Sequence, residues 1–223
     1  MKFSFNILKF DAITNVEICD ELKDFCVTPE LNHIAPLARR RLSKCAKFSA
    51  HLLKEIDTNS VASVFSSRDG EINRCFSLLD DVAKNEPISP TSFSLSVHNA
   101  TLAQIAIFSS NNSEISAISS NLSLENGLLN GYLKLEDGFE KVAVISYFEG
   151  VDNQIAKKTN LAYAVLVVIE KGSQICLETT PNTHESLAKN SDIVFLKNML
   201  SAKKSWSVSD EVLTWRWCVE TAV

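Results

Sequence analysis

Two nearly continuous apolar runs constrain the fold of this chain more than any other feature of its sequence. They are residues 141–147 (KVAVISY) and 162–169 (AYAVLVVI). A strand that covers one face of a core alternates apolar and polar residues, whereas a run that is apolar almost throughout predicts a strand packed on both faces. The sequence therefore predicts a layered α/β fold in which helices cover a central sheet.

The rest of the chain supplies further strands and helices for such a sheet. It has 223 residues, 45% of them hydrophobic, and no linker or low-complexity tract, so we expect one domain spanning residues 1–223. The apolar spacing predicts a first or edge strand at residues 1–13, a short strand at 60–65 and a strand at 173–178 in a hairpin with the second apolar run. It predicts a five-turn helix at residues 37–56, a helix at 71–84 and a short helix at 192–201. An aromatic segment follows at residues 213–219.

Residues 89–131 connect these elements and contain the candidate site. Apolar residues alternate with polar ones over residues 93–98, which predicts an extended segment. A turn at Asn99 leads into an apolar helix, and a second extended segment, residues 114–119, turns at Ser120–Asn121 into another helix. A strand that turns sharply into a helix is a common seat for a nucleophile, because the helix N-terminus stabilises negative charge. Asn121 is no nucleophile, but it is a good helix N-cap.

Composition and motifs exclude several function classes. A net charge of −5 gives no indication of nucleic-acid binding. The six cysteines form no C-x-x-C and no His pair stands at ligand spacing, so no metal site is predicted, and the absence of nucleotide-binding glycine motifs predicts no cofactor. No apolar run is long enough to span a membrane, and the first residues are typical of a strand and not of a signal peptide. We expect a cytoplasmic protein.

Three segments resemble a known family. They are residues 39–44 (RRRLSK), 64–71 (VFSSRDGE) and above all 89–100 (SPTSFSLSVHNA). Together they resemble the β-ketoacyl synthase-like N-terminal domain, found beside aryl polyene and fatty-acid-type biosynthetic genes. The resemblance implies a thiolase-like fold, a layered α/β/α half with a mixed sheet. It also implies work on acyl chains carried by acyl carrier protein.

The sequence departs from that of a working ketosynthase at the site. The family places a catalytic Cys at the strand-to-helix turn, where this chain has Asn121, and its neighbours Ser120 and Leu122 also lack a thiol. A ketosynthase also draws two His from a second half, which we expect this chain to lack; His98 matches neither. The resemblance therefore implies a non-catalytic subunit, similar to the chain length factors of type II polyketide systems.

The same resemblance implies a full-length ketosynthase as partner, with acyl carrier protein as a further candidate. Residues 114–119 would form an edge strand that pairs with the partner, and residues 93–99 would adjoin the partner's acyl tunnel. The predicted interface and pocket residues are Phe93, His98, Asn99, Glu114, Ile115, Ser116, Ala117 and Ile118.

Two other functions remain open from the sequence. One is an independent enzyme that acts on acyl thioesters with His98 and a serine, of which Ser96 is the nearest in sequence. The other is a homodimeric module that binds acyl carrier protein. His98 by itself is more often a hydrogen-bonded structural residue than a catalytic base.

Overall fold

The two apolar runs lie at the centre of an eight-stranded mixed sheet. The computed structural model describes residues 1–151, 159–183 and 190–220. The strands are β1 (Lys2–Thr14), β2 (Ala62–Ser67), β3 (Ile115–Ser119), β4 (Lys141–Glu149), β5 (Ala162–Lys171), β6 (Ile175–Pro181), β7 (Ser205–Ser209) and β8 (Leu213–Val219). Their order across the sheet is β3-β2-β4-β5-β1-β6-β8-β7. Strands β3, β2 and β4 are parallel, and all other neighbours are antiparallel.

Helices connect the strands, and four of the described helices pack on the sheet. The helices are α1 (Pro36–Arg39), α2 (Lys44–Leu53), α3 (Ile72–Ala83), α4 (Pro90–Ser94), α5 (Ala100–Phe108), α6 (Ser123–Glu136) and α7 (Ser191–Leu200), with a 3-10 helix at Asp20–Phe25. The α6 and α7 helices share one hydrophobic cluster with one face of the sheet. The α2 and α5 helices share a second cluster with the other face. The central strands β4 and β5 are thus buried on both sides, and the predicted layered α/β/α fold with a mixed sheet is confirmed.

Helix α6 lies unusually close to the sheet, and two glycines make this possible. A Cβ atom added at Gly127 or Gly131 would lie 2.9 Å from the side chain of Val144 on β4, closer than real Cβ contacts allow. This close packing holds the start of α6 directly beside the ends of β2 and β3.

The position of β1 fits one of the two predicted alternatives. It is the first strand but not an edge strand, because it lies between β5 and β6. It pairs with both of them in antiparallel register, so β6 does not form the predicted hairpin with β5. Insertion of a distant segment between two strands adjacent in sequence is a long-range pairing that local periodicity does not encode.

The predicted five-turn helix over residues 37–56 is divided into α1 and α2. The break lies at Ser43, whose hydroxyl accepts a hydrogen bond of 3.1 Å from the backbone N–H of Ala46. A serine that caps a new helix competes with continuation of the preceding one. The Ser43 hydroxyl also donates to the buried carboxylate of Glu71, at 2.7 Å, which ties the start of α2 to the start of α3.

Candidate functional site

The turn between β3 and α6 is held by its own polar groups. The backbone N–H of Ser120 donates to the carbonyl of Ser67 at 3.1 Å, which continues the pairing of β3 with β2 by one residue. The side-chain amide of Asn126 donates to the Ser120 hydroxyl at 2.8 Å and to the Leu122 carbonyl at 3.1 Å. No thiol is present at any position of the turn, residues 120–122.

Asn121 does not cap α6. The helix begins at Ser123, Leu122 occupies the N-cap position, and no side chain caps that end. Asn121 lies outside the helix and is exposed to solvent. The predicted capping role of Asn121 is therefore wrong, because the strand pairing extends to Ser120 and delays the start of the helix.

His98 packs against the loop that follows β2. Its Nε2 lies 2.9 Å from the hydroxyl of Ser67 and 3.2 Å from the carbonyl of the same residue. The Ser67 hydroxyl also accepts the backbone N–H of Gly70 at 3.0 Å. A Cβ atom at Gly70 would lie 2.8 Å from the imidazole, so only glycine, here at φ +57°, fits beside this ring.

These contacts argue against an enzyme that uses His98 and a serine as a catalytic pair. The serine that His98 contacts is Ser67, since the Ser96 hydroxyl donates to the Phe93 carbonyl at 2.8 Å. Ser67 is only 1% exposed, and its hydroxyl is held by the Gly70 N–H. A buried serine used in a loop contact is poorly placed to attack a carrier-bound thioester.

The segment of residues 93–98 is not extended, contrary to the prediction. Phe93 lies on the short helix α4, whose first turn is capped by the Ser89 hydroxyl. Proline at the first helical position after a capping serine favours this conformation. As a result Phe93 and Val97 point outward, 65% and 50% exposed, and are not paired with a strand.

Four of the eight predicted interface residues line one open groove beside β3. It has a volume of about 440 Å³ and is lined by His98, Asn99, Leu102, Ala103, Ile115 and Ala117. The first four belong to the start of α5 and the residues before it, and the last two to β3. The structure therefore brings together four of the predicted residues, whereas Ser116 and Ile118 point to the other face of the strand.

The outer edge of β3 pairs with no strand among the described residues. Glu114, the residue immediately before β3, forms a salt bridge with Lys134 of α6. Seven of the fourteen large apolar side chains that are exposed among the described residues fall between residues 79 and 115, in the segment from α3 to β3. They are Leu79, Val82, Ile88, Phe93, Val97, Ile107 and Ile115.

A buried polar network, which the sequence reasoning missed, lies behind this turn. Glu125 in the first turn of α6 is fully buried; its carboxylate accepts hydrogen bonds from the Ser191 hydroxyl at 2.9 Å and the Trp217 indole N–H at 3.2 Å. Asp192, at the start of α7, accepts the Tyr163 hydroxyl at 3.1 Å. Burial, reinforced by the charge of Asp192, raises the pKa of Glu125 to about 7, and burial raises the pKa of Asp192.

The sequence of this chain matches the model of a known family. The family described as β-ketoacyl synthase, N-terminal domain, matches residues 17–218. The chain belongs to this family. The membership confirms the resemblance seen in the three sequence segments, and a search among curated proteins finds no match.

Solved structures with the fold of this β-ketoacyl synthase domain include three of direct interest. A chain from the complex of a ketosynthase (ApeO) with its chain length factor (ApeC) from Xenorhabdus doucetiae aligns at a TM-score of 0.81 and 21% identity, covering 97% of this chain and 99% of that chain. The ishigamide ketosynthase/chain length factor aligns at 0.54 and 14%, covering 72% and 56%. A β-ketoacyl synthase from Burkholderia phymatum STM815 aligns at 0.52 and 9%, covering 76% and 55%.

The fraction of each matched chain that aligns with this domain differs among the three structures. This domain spans nearly the whole of the first matched chain but only about half the length of the other two.

Among the described residues, no helix combines the length and the apolar character needed to cross a membrane. In that part of the chain, no cluster of three or more His, Cys, Asp or Glu side chains is arranged to bind a metal ion.

Proposed function

We propose that this protein is a non-catalytic, chain length factor-like subunit that pairs with a full-length β-ketoacyl synthase and shapes its acyl pocket. The pathway would be aryl polyene, type II polyketide or fatty-acid-type chain elongation. The observation that carries the proposal is a strand-to-helix turn without a thiol, in a member of a condensing-enzyme family, directly beside a strand edge that pairs with no other described strand.

The chemistry of the turn supports a non-catalytic role. Asn121 stands near the position of the family's nucleophile, and a carboxamide cannot form a thioester with the growing chain. The cysteines nearest to this end of the sheet do not substitute for it. Burial raises the pKa of Cys45 well above its ordinary value, which disfavours the reactive thiolate, and the Cys75 thiol donates to the Ser96 carbonyl at 3.1 Å.

The backbone of β3 supports strand pairing with a partner. Ser63 N–H donates to the Glu114 carbonyl at one end of β3, and Ser120 N–H donates to the Ser67 carbonyl at the other. In a parallel strand the residues that bond to one neighbour alternate with those that face away. The N–H and C=O groups of Ile115, Ala117 and Ser119 therefore point to the free edge, where a second strand would satisfy them.

The groove beside β3 supports a role in shaping a pocket. His98, Asn99 and the apolar side chains of Leu102 and Ile115 line it, and the exposed ring of Phe93 lies on the helix just before it. A partner strand paired with β3 would lie along this groove. We place Phe93, His98 and Asn99 next to the partner's acyl tunnel, where their size would limit the length of the bound chain.

The solved structures support the assignment to this class of subunit. The first matched chain comes from a complex of a ketosynthase with its chain length factor, and it has about the length of this chain because the alignment covers nearly all of both. Its fold similarity extends over the whole sheet. The six cysteines of this chain are all free thiols, which fits the cytoplasm that we propose as its compartment.

Co-expression with a full-length ketosynthase tests the proposal. We expect a stable one-to-one complex on a sizing column, with an interface of about 1,600 Å² or more. In Ala117→Pro, proline removes one outward N–H without breaking a bond to β2, so the chain should still fold but lose the complex. Ala117→Ser keeps the N–H and is the matched control. A complex that survives Ala117→Pro unchanged would rule out pairing through β3.

The same experiment separates the alternatives. A chain that ignores the ketosynthase and forms its own dimer through β3 would be the homodimeric module, and added acyl carrier protein would then bind to it. Thioester hydrolysis by the isolated chain that is lost in His98→Ala would establish the independent enzyme. If the proposal is right, the isolated chain hydrolyses no thioester and the complex makes products whose length changes in Phe93→Ala.

A further inference from the structure

Two free cysteines face each other across adjacent strands at the end of the sheet far from β3. Cys176 of β6 and Cys218 of β8 are direct partners in the antiparallel register, and both are free thiols. Glu220 N–H donates to the Gln174 carbonyl at 2.8 Å, two residues along each strand. Because hydrogen-bonded and non-hydrogen-bonded pairs alternate in antiparallel strands, the two cysteines occupy a hydrogen-bonded pair.

The distance between such partners is suited to a disulfide. The Cα atoms of a hydrogen-bonded pair are about 5.5 Å apart, inside the range of roughly 4.4–6.8 Å that disulfides span. Their Cβ atoms, about 5 Å apart, are farther from each other than the ~3.8 Å typical of a disulfide. A bond between them would draw the strands slightly together, and a strained disulfide is readily reduced.

Both thiols lie on the outer face of the sheet. Their strand neighbours Leu177 and Trp217 are fully buried on the opposite face, whereas Arg216, two residues before Cys218 and on its face, is exposed. Cys218 is partly exposed and Cys176 is 4% exposed. An oxidant in solution would therefore reach Cys218 first and find Cys176 directly beside it.

We infer that Cys176 and Cys218 form a redox-responsive dithiol, which a peroxide converts to an intramolecular disulfide. The Cys218 thiolate attacks one oxygen of hydrogen peroxide, becomes a sulfenic acid and releases hydroxide. The Cys176 sulfur then attacks the Cys218 sulfur, forms the S–S bond and displaces the hydroxyl group. In sum, two thiols and one hydrogen peroxide give one disulfide and two waters, and a dithiol reductant reverses the step.

Peptide mapping of the purified full chain tests this inference. The chain is treated with hydrogen peroxide, alkylated with iodoacetamide after unfolding and cut with trypsin, which places Cys176 in residues 172–189 and Cys218 in residues 217–223. We expect these two peptides to be linked, to be lighter than their sum by two hydrogen atoms, and to separate after treatment with dithiothreitol.

The controls use the other cysteines of the chain. Cys19 and Cys26 flank the 3-10 helix and are also partly exposed. The six residues of that helix hold them roughly 12 Å or more apart, so they should stay unlinked.

In the variant Cys176→Ser, Cys218 should be trapped by dimedone as a sulfenic acid. Recovery of Cys218 as a sulfinic acid in the wild type, with Cys176 still alkylated, would overturn the inference, as would disulfides between molecules.

Discussion

The two edge strands of the sheet carry opposite surfaces. At one edge, β3 has no charged residue, its outward side chains include Ile115 and Ala117, and exposed apolar residues surround it. At the other edge, β7 alternates exposed serines with the buried Trp206 and Val208 and follows the exposed pair Lys203–Lys204. Lysines and polar side chains are the usual protection of an edge strand against pairing.

The two edge strands differ in how much they contribute to the interior of the molecule. The β7 edge is attached to the molecule through its interior, because Trp206 stacks on Trp217 with ring centroids 5.1 Å apart and Trp217 donates to Glu125. The β3 edge adds little to the interior beyond Ile118 and leaves its outer backbone groups free. We therefore expect substitutions near β7 to change folding and substitutions near β3 to change binding.

The largest effect should come from Trp206→Ala. This removes a large side chain that is 7% exposed and leaves a cavity against Trp217, so the free energy of unfolding should fall by about 3–5 kcal/mol. Urea unfolding measures it, with the exposed neighbour variant Ser207→Ala as control. A loss of less than about 1 kcal/mol would mean that the β7 edge is not anchored as described.

Glu125→Gln should change the pH dependence of stability. The pKa of Glu125 is about 7 in the folded chain against an ordinary 4.5, so the unfolded chain releases this proton first as the pH rises. The contribution of Glu125 to the free energy of unfolding is therefore most favourable below pH 4.5. It is lost as the pH rises to about 7, and the total loss is about 3 kcal/mol.

Glutamine cannot ionise, so in this variant that fall in the free energy of unfolding should disappear, while the fall that comes from the raised pKa of Asp192 remains. Urea unfolding at a series of pH values between about 4.5 and 8 measures the change. Equal pH slopes for the variant and the wild type would show that folding does not raise the pKa of Glu125.

Proline at the two edges gives a direct comparison. Ala117 of β3 and Ser207 of β7 both direct their backbone N–H away from the sheet, as the registers of the two strands require. Ala117→Pro should weaken ketosynthase binding at least ~30-fold, about 2 kcal/mol, and Ser207→Pro should not weaken it. Titration calorimetry with the partner measures both. Equal losses would mean that the partner does not distinguish the edges.

A smaller effect is expected at the exposed ring of Phe93. Phe93→Ser should change the free energy of unfolding by less than about 0.5 kcal/mol, because the ring is 65% exposed. It should weaken partner binding by about 1 kcal/mol or more. The matched control is Leu37→Ser on α1, which is 74% exposed and lies outside the segment from α3 to β3. A loss of affinity in the control alone would move the interface elsewhere.

The smallest effect should come from Asn121→Cys, because Asn121 is exposed. We expect no condensation of acyl thioesters by this variant alone, because a ketosynthase uses two histidines beside its cysteine and we expect this chain to lack them. Release of carbon dioxide from a malonyl thioester is the measurement, with the unmodified chain as control. Turnover by the variant without any partner would refute this interpretation of the site, namely that a thiol at the turn is not sufficient for condensation.

Local patterns predicted the elements whose conformation and burial follow from the spacing of apolar residues. The apolar runs of β4 and β5 and the apolar helix α5 follow directly from residue spacing. The extended reading of residues 93–98 failed because alternating serines and apolar residues also fit one helical turn. The sequence did contain the deciding signal, Ser89 followed by Pro90, which is a helix start.

Contacts between distant residues were out of reach for the same reasoning. His98 meets Ser67, Glu125 meets Ser191 and Trp217, and Cys176 meets Cys218. Each pair is separated by at least 31 residues, and no periodicity links its members. Their meeting depends on which strands pair and on how the helices pack against them.

The amino-acid sequence by itself determined the layered α/β class and the chemistry available at the turn, because burial patterns and the presence of a thiol are properties of the residues. The family resemblance already implied that residues 114–119 form an edge strand, but only the tertiary structure decided which backbone groups of β3 face outward, that β7 is the other, protected edge, and which polar groups share the interior. The physical reason is that a strand becomes central or peripheral only when distant segments pair, and hydrogen bonding, burial and pKa all follow from that pairing.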